Sequence, residues 1–275
     1  MKPPAFDYVR AETSDEVVEV LHREGPSARV LAGGQSLLPM LNMRLARPSV
    51  LVDIMGVAEW NHVDDDGNTL RIGAAVRQAA LQRRADLMQR QPLLAMALPW
   101  VGHVQTRSRG TICGSVAHAD PSAEIPLVLM ALGGEIRLRS RRRTRRVAAA
   151  EFVIGMMTTA RADDEVIEAV CVPAARPNVG YAFREVARRH GDFAIVGCAA
   201  VADRFGVRLA VGGVADRPVA RDLPATDSAD LAEALDRFAW DLDARDDLHA
   251  TARYRRELVR RLGRTTIDEA VTCRG

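Results

Sequence analysis

The stretch RGTICGSVAHADP, residues 109–121, places two glycines, two small polar residues and a cysteine ahead of His118, Asp120 and Pro121. Upstream, VLAGGQSLLPM, residues 30–40, has the same character: an apolar run enters Gly33 and Gly34 and then Ser36. With no Cβ in the way, backbone N–H groups in such turns can approach a phosphate closely, and each stretch adds a serine hydroxyl that can donate. Two of them would hold a diphosphate from two sides, each hydrogen bond to the charged group contributing roughly 1.5–3 kcal/mol. Tight turns use the same residues, so on this chemistry alone a phosphate cradle and a plain turn are equal readings. Neither stretch is a GxGxxG fingerprint and no GK[ST] occurs, so the usual nicotinamide and nucleoside-triphosphate signatures are missing.

The flanking sequence reads as strands and helices. SDEVVEVLHREG (14–25) has apolar residues at Val17, Val18 and Leu21, which predicts an amphipathic helix capped by Ser14 and ended by Gly25. ARVLAGG (28–34) is a short strand running into glycines, SVLVDI (49–54) a second buried strand, and TLRIGAAV (69–76) a third after the turn signal DDDGN. The pattern turns helical from Gln78 to Met96, and PWVGHVQTRSRGTICGS (99–115) carries loop signals. IPLVLMALGGEIRLRS (125–140) predicts a helix, a Gly133–Gly134 turn and a strand. The arginine run RSRRRTRRV (139–147) suits an exposed β-hairpin whose charge protects a sheet edge, in preference to a partner-docking or nucleic-acid role.

After the strand-like EVIEAVCV (165–172), PAARP (173–177) is a natural linker. Beyond it YAFREVA, AIVGCAAVAD and VRLAVGGVAD predict three strands, followed by helices in SADLAEALDRFAWD (228–241) and DLHATARYRRELVRRLG (247–263). A chain of 275 residues accommodates two domains, and this order suggests a small α+β second one.

Composition bounds the function. The chain is 48% hydrophobic and 27% charged with a net charge of +2, an ordinary globular balance that gives no electrostatic case for nucleic acid. MKPPAFDYVR lacks the apolar core of a signal peptide, and no run approaches the roughly 20 apolar residues of a membrane span, so a cytoplasmic location is expected. Cys113, Cys171, Cys198 and Cys273 form no CxxC pair, so no zinc ribbon or iron–sulfur site is written here, and they read as buried or incidental thiols. His118 and Asp120 are paired with no nucleophile, and Ser115 lies in no GxSxG elbow. No metal site and no catalytic acid or base is expected. Arg107 and Arg109 are expected to bound the second glycine turn.

VLAGGQSLLPMLNMRLARPSVLVDI (30–54) together with RSRGTICGSVAHADPSAEIP (107–126) resembles the flavoprotein, or medium, subunit of molybdenum-containing hydroxylases of the carbon monoxide dehydrogenase and xanthine dehydrogenase type. The likeness continues, in order, through REVARRHGDFAIVGCAA (184–200) and DLHATARYRREL (247–258), covering essentially the whole chain. It implies an α+β protein. Residues 1–175 would form a two-lobed FAD-binding domain of the vanillyl-alcohol/cresol-hydroxylase type, and residues 176–275 a small domain with a three-stranded antiparallel sheet and helices. Carried over residue by residue, Leu31, Ala32, Gly33, Gly34, Gln35, Ser36 and Leu37 form one FAD contact stretch. Thr111, Gly114, Ser115, Ala117 and His118 form the second. Glu124 matches an acidic residue that contacts the flavin nucleotide, and Asp120 lies in the same loop. Phe193, in the GDFA segment, is the candidate for lining the isoalloxazine, with strand core as the equal alternative.

The resemblance further implies partners: a large subunit with the molybdenum cofactor, where substrate is oxidised, and a small subunit with 2Fe-2S clusters, assembled as a dimer of heterotrimers. The cysteine-rich insertion with which some relatives hold a further cluster is absent from this sequence, so electrons should arrive from another polypeptide and pass through FAD to an acceptor. Substrate contacts in such complexes lie mainly on the large subunit, and carbon monoxide, purines, N-heteroaromatics and aldehydes are all compatible. A self-sufficient FAD-dependent oxidase or dehydrogenase, and a scaffold that has lost its flavin, are the alternatives. One departure stands out: Cys113 occupies a position where most such subunits have glycine. A positive φ there would cost a cysteine about 1 kcal/mol or more, whereas a negative φ would let the thiol sit beside the cofactor; the negative φ is expected.

Overall fold

The structure, a computed structural model, describes residues 2–224 and 230–274. Its first sheet is built from β1 (Asp7–Arg10), β2 (Ala28–Leu31) and β3 (Val50–Asp53) in the order β1-β3-β2, all parallel. Parallel neighbours need crossovers, supplied by α1 (Ser14–Glu24) and by the segment containing α2 (Leu37–Asn42). The central strand reads VLVD and buries Val50, Leu51 and Val52, as a strand covered on both faces must. The helix cap differs from expectation by one residue. Thr13, not Ser14, caps α1: its hydroxyl accepts from the Glu16 N–H at 3.2 Å and Glu16 reaches back to the Thr13 N–H, a reciprocal capping box.

A second, antiparallel sheet follows, with order β4-β5-β10-β6-β7, from β4 (Val63–Asp65), β5 (Thr69–Gly73), β6 (Glu135–Arg139), β7 (Thr144–Ala148) and β10 (Val166–Pro173). The arginine run is the β6–β7 hairpin at its edge. Between β5 and β6 the expected single helix from Gln78 is three short ones, α3 (Gln78–Gln82), α4 (Leu87–Arg90) and α5 (Pro92–Ala97). Pro92 starts the last and holds Gln91 in a non-helical conformation, φ −155° and ψ 88°, which breaks the run. The stretch expected as loop is instead largely helical: α6 (Val104–Arg109) and α7 (Ile112–His118) precede α8 (Glu124–Leu132). The short α9 (Ala149–Phe152) and the small pair β8 (Val153–Gly155) and β9 (Thr158–Thr159) lead into β10.

The third sheet corrects the three-stranded expectation. It has four antiparallel strands, β11 (Gly180–Val186), β12 (Val196–Ala202), β13 (Val207–Gly212) and β14 (Val219–Leu223), in sequential order. The helices α10 (Leu231–Asp241) and α11 (Ala252–Thr272) pack on one face; Ser228 and Ala229, with which the first of them was expected to begin, lie outside the described residues. α8 packs on the other face, against β12 and β13. Side chains therefore alternate along β11: Ala182 joins the core under α10 and α11, while Tyr181 and Phe183 join the core of the preceding sheets. Backbone approach is close here, since a Cβ on Gly180 would lie 1.7 Å from the Ala270 carbonyl oxygen of α11.

Candidate functional site

The two glycine stretches lie side by side. A Cβ on Gly33 would fall 2.2 Å from the Arg109 carbonyl oxygen and 2.7 Å from the Gly110 Cα, so only glycine lets these backbones touch. Gly34 adopts φ +71°, turning the chain from β2 into α2. The second stretch is not a glycine turn after a strand but the first turn of α7. Thr111 caps it, its hydroxyl accepting from the Gly114 N–H at 2.9 Å, and a Cβ on Gly114 would collide with that hydroxyl at 2.7 Å. The Gln78 N–H donates to the Gly110 carbonyl at 2.8 Å, which pins the turn from α3.

The Arg107 side chain is committed within the protein. Arg107 is buried and its Nη1 donates to the carbonyls of Val101 at 3.0 Å and Gly102 at 2.9 Å, while its Nε donates to Gln82 Oε1 at 3.0 Å. It fixes the segment ahead of α6, as expected of a turn-bounding residue. Arg109 contributes its carbonyl to the contact with Gly33. Cys113 has negative φ inside α7 and is buried, with Sγ 3.5 Å from the Ile72 carbonyl oxygen. The cysteine costs no backbone strain. Cys171 and Cys198 are also buried and Cys273 is exposed, and all four thiols are free.

Between these stretches and the third sheet lies a cleft of about 1190 Å³, above the roughly 300–1,000 Å³ usual for a small-molecule site and large enough for a dinucleotide. Of the expected residues, Ala32, Gly33, Gly34, Gln35, Ser36, Leu37, Thr111, Gly114, Ser115, Ala117, His118, Asp120, Glu124 and Phe193 all line it. Leu31 does not; its Cδ1 would lie 3.4 Å from a Cβ on Gly34, under the loop. Phe193 is 71% exposed on the segment between β11 and β12, which removes the strand-core reading. Asp120 spends one carboxylate oxygen on the Ser122 N–H at 2.8 Å, shaping the turn from α7 to α8. Glu124 opens α8, buried; burial pushes its carboxyl up to about 7 against its own backbone hydrogen bond, with the Asp120 charge adding to the rise and Arg107 opposing it.

Sequence reasoning missed the rest of the wall. Arg29 on β2 and Arg161 after β9 both face the cleft, and Arg161 is pulled below the usual guanidinium range by burial and then by the Arg29 charge. The third sheet and the segments around it contribute Arg188, Arg189, Gly213 and Arg255, among others. No spacing links residues so far apart in the chain, so only the folded arrangement reveals them. Among the described residues no three His, Cys, Asp or Glu side chains gather as a metal site, and no helix is long and apolar enough to cross a membrane.

A cleft large enough for a dinucleotide, walled by two glycine stretches and lying between the first two sheets and the third, has the form of a cofactor-binding subunit. Residues 4–175 match the FAD binding domain in molybdopterin dehydrogenase and residues 181–270 the CO dehydrogenase flavoprotein C-terminal domain, and the chain belongs to this family of FAD-binding subunits of multi-subunit molybdenum oxidoreductases. It is 37% identical to the 6-hydroxypseudooxynicotine dehydrogenase complex subunit alpha of Paenarthrobacter nicotinovorans, over 98% of this chain and 96% of that one. Among solved structures it superposes on a chain of carbon monoxide dehydrogenase from Hydrogenophaga pseudoflava with a TM-score of 0.92 at 30% identity, covering 100% of both chains. A chain of quinoline 2-oxidoreductase from Pseudomonas putida 86 gives a TM-score of 0.91 at 33% identity, covering 99% of both.

The residues present suit FAD. Backbone N–H groups of residues 34–37, entering α2, find no acceptor among the described residues, as at any helix start, and can donate to an anion in the cleft. Arg29 and Arg161 add two cationic groups to the wall of the same cleft.

Proposed function

We propose that the chain holds FAD along this cleft and relays electrons from 2Fe-2S clusters of a small partner subunit to a terminal acceptor, while a large partner subunit carries the molybdenum cofactor and oxidises substrate. When bound, the flavin accepts electrons and releases them singly or in pairs. Residues 32–37 and 111–115 hold the diphosphate with backbone N–H groups and hydroxyls. Arg29 and Arg161 offset its charge, Ala117, His118, Asp120 and Glu124 line the nucleotide, and Phe193 lies along the isoalloxazine. No side chain of this chain is required as an acid or base in substrate oxidation. Residues 1–175 act as a clasp of the vanillyl-alcohol type and residues 176–275 as the second domain. The assembly is a dimer of heterotrimers in the cytoplasm, where free thiols stay reduced.

One observation carries this reading: two glycine stretches distant in sequence touch backbone to backbone on the wall of a single cleft. The test is to purify the chain with and without its co-expressed neighbours, record the visible spectrum and identify released cofactor. FAD, with iron and molybdenum co-purifying in the co-expressed sample, is the expected result. FAD that bleaches with substrate in the isolated chain would mark a self-sufficient oxidase instead. A folded protein without flavin in either preparation would leave the scaffold reading.

A further inference from the structure

Behind the cleft wall, where α8 meets the third sheet, sits a carboxyl that the cofactor site does not use. Glu185 on β11 is buried, and neither of its carboxylate oxygens has a hydrogen-bond partner among the described residues. By strand alternation it shares a face with Tyr181 and Phe183, toward α5 and α8, rather than the α11 face on which Arg184 pairs with Glu269. Leu127, one turn along α8 from Glu124, comes 2.9 Å from where a Gly197 Cβ would stand, and Gly197 is the β12 partner of Glu185. Glu124 thus faces the cleft, Glu185 lies one layer deeper, and Glu185 feels the Glu124 charge.

An ionised carboxylate with no donor, as at Glu185, is strongly disfavoured in such a place, and a second carboxyl charge nearby adds to the cost. We propose that Glu124 and Glu185 form a proton store behind the nucleotide cleft, binding one proton from solvent when negative charge enters it. The inference rests on the FAD-binding reading. The step is a protonation only: a carboxylate of the pair becomes a carboxylic acid, and no bond of the dinucleotide changes. Burial, and after it the Glu124 charge, pushes Glu185 up to about 8, and Glu124 stands at about 7, so the pair is partly ionised just above neutrality. The other charges nearby are Asp120, which favours protonation of Glu124, and Arg107, which opposes it. α5 reads PLLAMA and brings no titratable group, the facing β12 position is Gly197, and Arg255 is committed to Asp247 and to the Ile195 and Gly213 carbonyls. A diphosphate in the cleft raises the proton affinity of the pair, and by reciprocity protons raise the affinity for the diphosphate.

The experiment is calorimetric titration of the flavin-free full chain with FAD at pH 6 to 9, in buffers of different ionisation heat so that protons are counted. Between pH 7 and 9 the wild type is expected to take up a substantial fraction of one proton per FAD, with FAD bound about five-fold or more weaker at pH 8.5 than at pH 6.5. Glu185→Gln, neutral and nearly isosteric, is expected to lose most of that uptake. Tight FAD binding without proton uptake in the wild type overturns the store, as does uptake left unchanged by E185Q, which would assign it to a histidine of the cleft such as His118. Absence of FAD binding at every pH overturns the FAD-binding reading and the store with it.

Discussion

Gly33 and Cys113 are neighbours of the same cleft with opposite requirements. At Gly33 any side chain meets the backbone of residues 109 and 110, which cannot move aside as a flexible side-chain tip would. Gly33→Ala is expected to cost about 1–3 kcal/mol by overpacking and to strip flavin from the purified protein. Gly67→Ala is the control: φ is +90° but nothing lies within 4 Å, so it should cost about 1 kcal/mol of strain and leave the flavin content unchanged. Cys113 is the reverse case, a buried helical residue at negative φ. Cys113→Gly should destabilise by about 1–2 kcal/mol, because a helical glycine and a lost buried side chain both weaken the fold. A rise in melting temperature would instead mean that the cysteine is strained. That Gly33 and Gly34 had a purpose was legible from their place after a strand. That Gly33 serves the contact with residue 109 was not, since the steric demand comes from a segment remote in sequence.

At the scale of elements, the arginine hairpin is less bland than a solvated edge. Arg145 on β7 forms a bidentate pair with buried Glu165, Nε to Oε1 and Nη2 to Oε2 both at 2.7 Å, and Nη2 also donates to the Ala160 carbonyl. The pair holds Glu165 below the usual carboxylate range, chiefly through the Arg145 hydrogen bonds. Arg145→Ala leaves a buried carboxylate short of donors and is expected to lower stability by about 3 kcal/mol, whereas exposed Arg142→Ala should stay within about 0.5 kcal/mol. Chemical denaturation of the two variants separates them. The hairpin itself was legible from alternation and charge; which arginine matters was not, because its partner lies on the far side of β9. The fourth strand of the third sheet escaped for a related reason. VARDL at Val219–Leu223 carries Arg221 and Asp222 and buries little besides Leu223, so it has the pattern of an edge strand held by its β13 ladder and not by an apolar face of its own. α6 and α7 read as loop because glycines and small polar residues mask short helices that tertiary packing completes.

At the scale of the whole molecule, the order of four motifs was enough to show the family, while the joint between the first two sheets and the third was invisible until folded. That joint carries the Glu124 and Glu185 carboxyls, and they make its strength depend on pH. Both are raised from an ordinary value near 4.5, to about 7 and about 8, principally by burial. Between pH 4.5 and 8 the folded state therefore binds more protons than the unfolded chain. Unfolding free energy must then fall as pH rises through this window, with the full contribution present below about pH 4.5 and none left above about pH 8. The paired carboxylates Glu165 and Asp222, lowered by Arg145 and Arg208, have the opposite sign but complete their change at acid pH, so they leave the neutral range to the buried pair. The melting temperature of the flavin-free chain is expected to drop by several degrees from pH 6 to pH 9, and Glu185→Gln should flatten that drop while leaving the acid limb intact. An equal slope in wild type and variant would show that the two carboxyls ionise freely in the folded protein, and that the joint is held without regard to their charge.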